Sequence, residues 1–247
     1  MLSSLHVSSL RLSRELPEDS YLKNLPVVRN LEKMGMLRFH SPVTFFVGEN
    51  GVGKSTLIEA VAVNMGFNPE GGSLNLRFST EDSHSRLWDY ISVGKGVTRR
   101  RDGFFLRAES FYNVASSLDQ LERSFGGTLQ SYGGTSLHKQ SHGESFLSLV
   151  ENRFGGDGIY ILDEPEAALS PGRMLELMVY MDHLVKKNSQ FLIATHSPIL
   201  MAYPGAEVLL LTDAGIQSVD YRETEHFQLT KRFLNAPEAM LRYLFEE

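Results

Sequence analysis

The chain has 247 residues, 42% of them hydrophobic, which suffices for one well-buried core and leaves little room for a second full domain. Charged residues make up 22% and the formal net charge is −6, excluding a disordered chain and a general charge-driven nucleic-acid binder while leaving room for a local basic patch. With no cysteine, disulfides, thiolate catalysis and cysteine-ligated zinc are excluded.

The stretch MLSSLHVSSLRLSREL is broken by Ser and Arg and lacks the continuous apolar core of a signal peptide. No apolar run approaches the length of a membrane span. The expectation is a cytoplasmic protein with no direct membrane insertion.

In chain order, LHVSSLRL, 5–12, reads as a strand, and PVTFFVG, 42–48, as a buried strand. A helix follows, with Leu57, Ile58, Val61 and Met65 on one face and Gly66 as its cap. The polar stretch 67–103 holds a helix around 84–91. GFFLRAES, 103–110, reads as a strand, 111–125 as a helix, the Gly- and Ser-rich 126–134 as a loop, and 144–154 as a second helix.

GIYILDEP, 158–165, is a buried strand ending in acids. Pro171 opens a helix that runs to about Lys187, with proline at its start and lysine at its end. QFLIATHSP, 190–198, and EVLLLTD, 207–213, are strands, AGI turns the chain into QSVDY, and 223–246 is helical. Strands alternating with helices predict an α/β sheet.

GENGVGKST, 48–56, fits G-x-x-x-x-G-K-[ST] between a strand and a helix. Its glycines let the backbone N–H groups of Gly48, Glu49, Asn50, Gly51, Val52 and Gly53 wrap phosphates, and the helix N-terminus adds a positive end. Lys54 reaches the β- and γ-phosphates, and Ser55 offers its hydroxyl to Mg²⁺ with Thr56 behind it. YILDEPEAALSP places Asp163 and Glu164 at the exit of an apolar strand, where α/β sheets bind ligands. Asp163 is the expected Mg²⁺ partner through water, and Glu164 the residue that polarises or positions the attacking water.

SHGES, 141–145, resembles the signature motif of ABC-type ATPases, and THSP, 195–198, resembles their switch-histidine motif. Phosphate loop, signature, acidic strand and histidine strand stand in the family's order. Gly143 precedes Asp163 by twenty positions, and Glu164 precedes His196 by thirty-two. With VTFFVGENGVGKSTLIEA, RDGFFLRAESFYNVA, AYPG and TEHFQLTKRFLN, the chain is similar to the small stand-alone members of the RecF- and SMC-like AAA branch.

The resemblance implies a P-loop NTPase fold over residues 1–247: an ABC-ATPase-like sheet flanked by helices, with a helical lobe at about 110–155. It implies Mg²⁺-dependent ATP hydrolysis in an ATP-dependent homodimer, two subunits sandwiching two ATP molecules. Ser141 and Gly143 of one subunit would meet the γ-phosphate held by the other, and His196 the same phosphate from its own subunit. Such a switch acts on nucleic acid or a protein partner; the alternative is the ATP-binding subunit of a membrane ABC transporter.

The residues themselves leave other readings open. Ser141 is also suited to capping a helix, and His196 to a structural turn. Glu109 or Ser110 stands where the family often has Gln, Ser170 where transporters usually have Asp, and Tyr21 is a distant candidate to stack on adenine. Lys95, Arg99, Arg100, Arg101 and Arg107 form a basic stretch that grips a nucleic-acid backbone, pairs with acids on the other subunit or is simply solvated.

Overall fold

Apolar runs of five or six residues build the parallel heart of a seven-stranded sheet. The computed structural model describes residues 4–74, 85–98 and 100–245. Its first half contains β1 (Val7–Leu12), α1 (Pro26–Met34), β2 (Leu37–Arg38), β3 (Val43–Val47), α2 (Lys54–Asn64), β4 (Gly72–Ser73), β5 (Ile91–Lys95) and β6 (Asp102–Arg107). Then come α3 (Phe111–Phe125), α4 (His142–Arg153), β7 (Gly158–Asp163), α5 (Pro171–Val185) and β8 (Gln190–Ala194). The chain continues through α6 (Pro198–Met201), β9 (Glu207–Leu211), β10 (Ile216–Val219), α7 (Glu225–Asn235) and α8 (Pro237–Phe245).

The large sheet runs β10-β9-β3-β8-β7-β6-β4. Its five central strands are parallel, and β10 and β4 close the two edges antiparallel. The ends of β3, β6, β7 and β8 therefore lie along one edge of the sheet, and the loops that follow them gather there.

Both faces of this sheet are covered, so its strands are apolar throughout rather than alternating with polar residues. Phe45, Phe104, Tyr160, Leu162, Phe191 and Ile193 face α3, α4 and α5. Their neighbours Phe46, Phe105, Ile159, Ile161, Leu192 and Ala194 face α2 and the small sheet beyond it.

That small sheet is antiparallel, in the order β2-β1-β5. It packs over α2 from the side opposite the main sheet, which is why α2 is buried almost all round. Gln190, at the start of β8, ties the two sheets together. Its Nε2 donates to Val7 O at 2.9 Å, and its Oε1 accepts from Val7 N at 2.8 Å.

Several elements differ from the sequence expectation. In place of a helix around 84–91 there is a short 3-10 turn, Arg86–Asp89, leading into β5; His84 lies outside the described residues. The strand expected to 165 ends at Asp163, because Glu164 takes the left-handed conformation at φ 50°. The strand expected to 110 ends at Arg107, and Ser110 instead caps α3, its hydroxyl donating to Glu70 O. The expected helical tail is two helices, broken at Pro237.

The basic stretch is dispersed. Arg100 is partly buried, donating to Met65 O and lying 5.4 Å over the Phe67 ring. Arg107 points into the site at the sheet edge; Lys95 and Arg101 are exposed, and Arg99 lies outside the described residues.

Candidate functional site

The loop between β3 and α2 holds a backbone that favours glycine. Gly48, Gly51 and Gly53 have φ of 147°, 85° and 96°. A Cβ on Gly48 would sit 2.3 Å from Leu211 O, and one on Gly53 would sit 2.5 Å from Val27 Cγ1. The loop is thus clamped between the end of β9 and α1, and Val27 N also donates to Val52 O at 3.1 Å. Glu49, Asn50 and Gly51 are exposed at its crest, while Val52 is buried beneath.

Lys54 opens α2 and is 5% exposed. Its Nζ donates to Gly48 O at 2.9 Å and to Glu49 O at 3.0 Å, so the ammonium stands inside the loop's curve. Burial pushes it below the usual lysine range, against the opposing pull of Glu164, Asp163 and Glu166. Thr56 is half-buried on the same first turn.

Ser55 Oγ donates to Asp163 Oδ1 at 3.0 Å. Asp163, 6% exposed, is pushed up to about 6 by burial, against the pull of Arg107 and of the Ser55 hydroxyl. Arg107, the register partner of Asp163 on the next strand, sets its Nε 3.5 Å from Oδ2. Its NH1 lies 2.6 Å from Glu59 Oε2 on α2.

Glu164 and His196 come from the exits of neighbouring strands β7 and β8. Glu164 N donates to Ala194 O at 3.0 Å, and Glu164 Oε1 lies 3.5 Å from His196 Nε2. His196 N donates to Glu166 Oε1 at 2.5 Å, which fixes the backbone after β8. Burial, with Lys54 and His226 adding to it, holds His196 below the usual histidine range, and Glu164 opposes.

Arg107 and His226 are among the site residues that the reading of the sequence did not assign there. Arg107 was grouped with the basic stretch, although it ends an apolar strand in the same way as Asp163, a signal that could have found it. His226, in the first turn of α7, places Nε2 2.8 Å from His196 Nδ1; nothing in the sequence marks that contact.

A cavity of about 220 Å³ opens between Ser55, Arg107, Glu109, His142, Asp163 and Glu164. Glu109 rather than Ser110 therefore faces the site, with its side chain largely exposed. The donors around Ser55 and Asp163 are hard oxygens, one hydroxyl and one carboxylate. Such a sparse set fits Mg²⁺, which takes few protein ligands beside phosphate and water.

Ser141 and Gly143 flank His142, which lines this cavity, but neither lines it itself. Ser141 is the N-cap of α4: Glu144 Oε2 accepts from Ser141 N at 3.1 Å and from Ser141 Oγ at 2.6 Å. Gly143 packs on α5, where a Cβ would sit 2.8 Å from Arg173 Cδ. Among the described residues no hydrogen bond joins either one to the phosphate loop of its own chain. Ser170 caps α5, and Tyr21 is 60% exposed.

An AAA domain family model matches residues 22–123. A second, described as "AAA domain, putative AbiEii toxin, Type IV TA system", matches residues 127–202. The chain is 26% identical over 223 residues to the "Uncharacterized ABC transporter ATP-binding protein" of Haemophilus influenzae, covering 80% of this chain and 81% of that one. It is 24% identical over 217 residues to the "Ribose import ATP-binding protein RbsA" of Roseobacter denitrificans. That match covers 77% of this chain and 40% of the relative, so the chain spans well under half of that protein's length. A solved nucleotide-free ATP-binding cassette from an ABC transporter matches with a TM-score of 0.50, over 96% of this chain and 98% of that one, at 16% identity, a likeness of fold.

Proposed function

We propose that this chain is an ABC-type P-loop ATPase of the RecF- and SMC-like AAA kind, and that it works as a Mg²⁺-dependent switch, closing as an ATP-sandwich dimer on a nucleic-acid or protein partner. Residues 1–247 act as one ATPase domain, with 110–155 as the lobe that carries the signature. The observation behind this reading is the meeting of Lys54, Ser55, Asp163, Glu164 and His196 at one sheet edge.

ATP phosphates enter the loop at 48–53, where Lys54 exchanges its two carbonyl partners for phosphate oxygens. Ser55 and Asp163 would hold Mg²⁺, which when bound neutralises charge on the β- and γ-phosphate oxygens. Glu164 orients and polarises the attacking water. His196 Nε2 donates to the γ-phosphate from the opposite side, as the switch that senses it.

Ser141 and Gly143 complete the site of a second copy. Ser141 stands at the N-terminus of the twelve-residue α4, where an incoming phosphate would take over the donors that Glu144 now holds. Only the triphosphate reaches both surfaces, so hydrolysis releases the dimer.

The test is light scattering of Glu164→Gln with MgATP, beside wild-type turnover with and without linear duplex DNA. A nucleotide-dependent dimer supports the sandwich, and a strict monomer at every concentration overturns it. Stimulation by DNA assigns the partner as nucleic acid. Turnover indifferent to DNA turns the search to a protein partner; of the basic stretch, Lys95 and Arg101 are the residues described as exposed.

A second reading is favoured by the relatives described as transporter ATP-binding proteins. Here the chain would supply ATP hydrolysis to a membrane partner. No helix among the described residues is long and apolar enough to cross a membrane, so that partner would provide the span. Co-purification with a membrane subunit, and turnover stimulated by it, would distinguish this reading from the first.

A further inference from the structure

The stretch TEHFQLTKRFLN begins at the N-cap of α7, and the hydrolysis site described above does not use it. Its first turn nevertheless reaches that site. His226 Nε2 lies 2.8 Å from His196 Nδ1, with ring centroids 4.8 Å apart and planes at 57°. His226 also lines a cavity of about 470 Å³ together with Gly48 and Glu49 of the phosphate loop.

The other edge of the His196 ring fixes the proton. His196 Nε2 is buried, has no hydrogen-bond partner among the described residues, and points 3.5 Å from Glu164 Oε1. An ionised carboxylate and a phosphate oxygen both accept only. A histidine serving them must carry its proton on Nε2. In the neutral ring Nδ1 is then an acceptor, so the group facing it has to donate.

We propose that His226 is a positioning residue for hydrolysis: its Nε2–H donates to His196 Nδ1 and keeps the proton of His196 on Nε2, aimed at the γ-phosphate. This rests on the reading that His196 meets that phosphate.

The segment around His226 is built to hold it still. Thr224, the N-cap of α7, is 1% exposed. Its Oγ1 accepts from Phe227 N at 3.4 Å and donates to Tyr221 O at 2.6 Å. The Phe227 ring meets Tyr221 edge-on at 5.2 Å. The start of α7 thus has both a cap and an aromatic brace, and the His196 ring takes its orientation from them through one hydrogen bond.

The experiment is steady-state ATP hydrolysis by His226→Ala, His226→Phe, His226→Gln, His196→Ala and the double variant His196→Ala/His226→Ala, with melting temperature recorded for each. His226→Ala and His226→Phe are expected to lose about tenfold or more in kcat with KM unchanged. His226→Gln, whose amide N–H can donate from the same place, is expected to stay within about threefold of wild type. The double variant should match His196→Ala alone, because the two histidines act as one unit.

Wild-type kcat in His226→Ala beside an impaired His196→Ala would overturn the proposal. Equal damage from Gln and Phe at 226 would also overturn it, as would a double variant that multiplies the two single losses. Wild-type kcat in His196→Ala would instead refute the γ-phosphate reading, and this inference with it.

Discussion

Arg107 and Asp163 end adjacent parallel strands as register partners, and the Arg107 guanidinium bridges the Asp163 carboxylate and Glu59 on α2. One cation therefore joins the acidic strand to the helix that follows the phosphate loop. Both of its partners are 6% exposed as side chains, so neither is well compensated by water.

Replacing Arg107 by Met keeps most of the side chain's length and removes its charge. The expected loss is about 3 kcal/mol of folding stability, because two buried carboxylates lose their shared cation. Urea denaturation measures it. Arg107→Lys should recover only part, since an ammonium cannot span both partners as a guanidinium fork does. A loss below about 1 kcal/mol for Arg107→Met would mark the contact as no stronger than a surface pair.

Asp163 makes stability depend on pH. Its folded-state value is about 6, against 3.8 for the free side chain, chiefly through burial. Between those values the folded protein holds the proton more tightly than the unfolded chain, so stability falls as pH rises through the window. In EDTA and without nucleotide, Asp163→Asn is expected to be more stable than wild type at pH 8 by about 3 kcal/mol. The gap should shrink below pH 6 and close near pH 4. A gap that is flat with pH would refute the assignment.

The sheet edge was legible because β3, β7 and β8 are compact apolar runs, each followed at once by its candidate site residues: the glycine-rich loop, Asp163-Glu164 and Thr195-His196. Chemistry and secondary structure there share one short window. The small sheet was harder to read. β5 carries Gly94 in its middle, and β1 finds β5 some eighty positions away, a pairing no local pattern encodes. The role of Gln190 was hidden for the same reason, as its partner Val7 is 183 positions distant. His226 reads as one polar residue in an amphipathic helix until the fold lays α7 against the end of β8. Arg107 was misplaced because a run of arginines invites a surface reading, whereas strand register decides where each one goes.

Gln190 supplies a test of the join between the two sheets. Its amide satisfies both backbone groups of Val7, and both residues are within 1% of complete burial. Gln190→Leu has a similar volume but leaves a buried N–H and a buried carbonyl without this partner. The expected cost is at least about 2 kcal/mol by chemical denaturation. Hydrogen exchange should also speed up in β1 and β5 before it does in β7 and β8. Uniform exchange across both sheets would show that Gln190 does not hold them together.

Lys54 tests the phosphate loop most directly. Its ammonium donates to Gly48 O and Glu49 O, and in the proposed function those contacts hold it where phosphate oxygens would come. Removing it takes away the one cation described as hydrogen-bonded inside the loop. Its aliphatic stem lies in a first turn already held by Leu57 and Ile58. Lys54→Ala is therefore expected to fold, to keep a melting temperature near wild type, and to lose ATP turnover by about a hundredfold or more. A folded Lys54→Ala protein that turns over ATP at the wild-type rate would remove the basis for placing the phosphates in this loop.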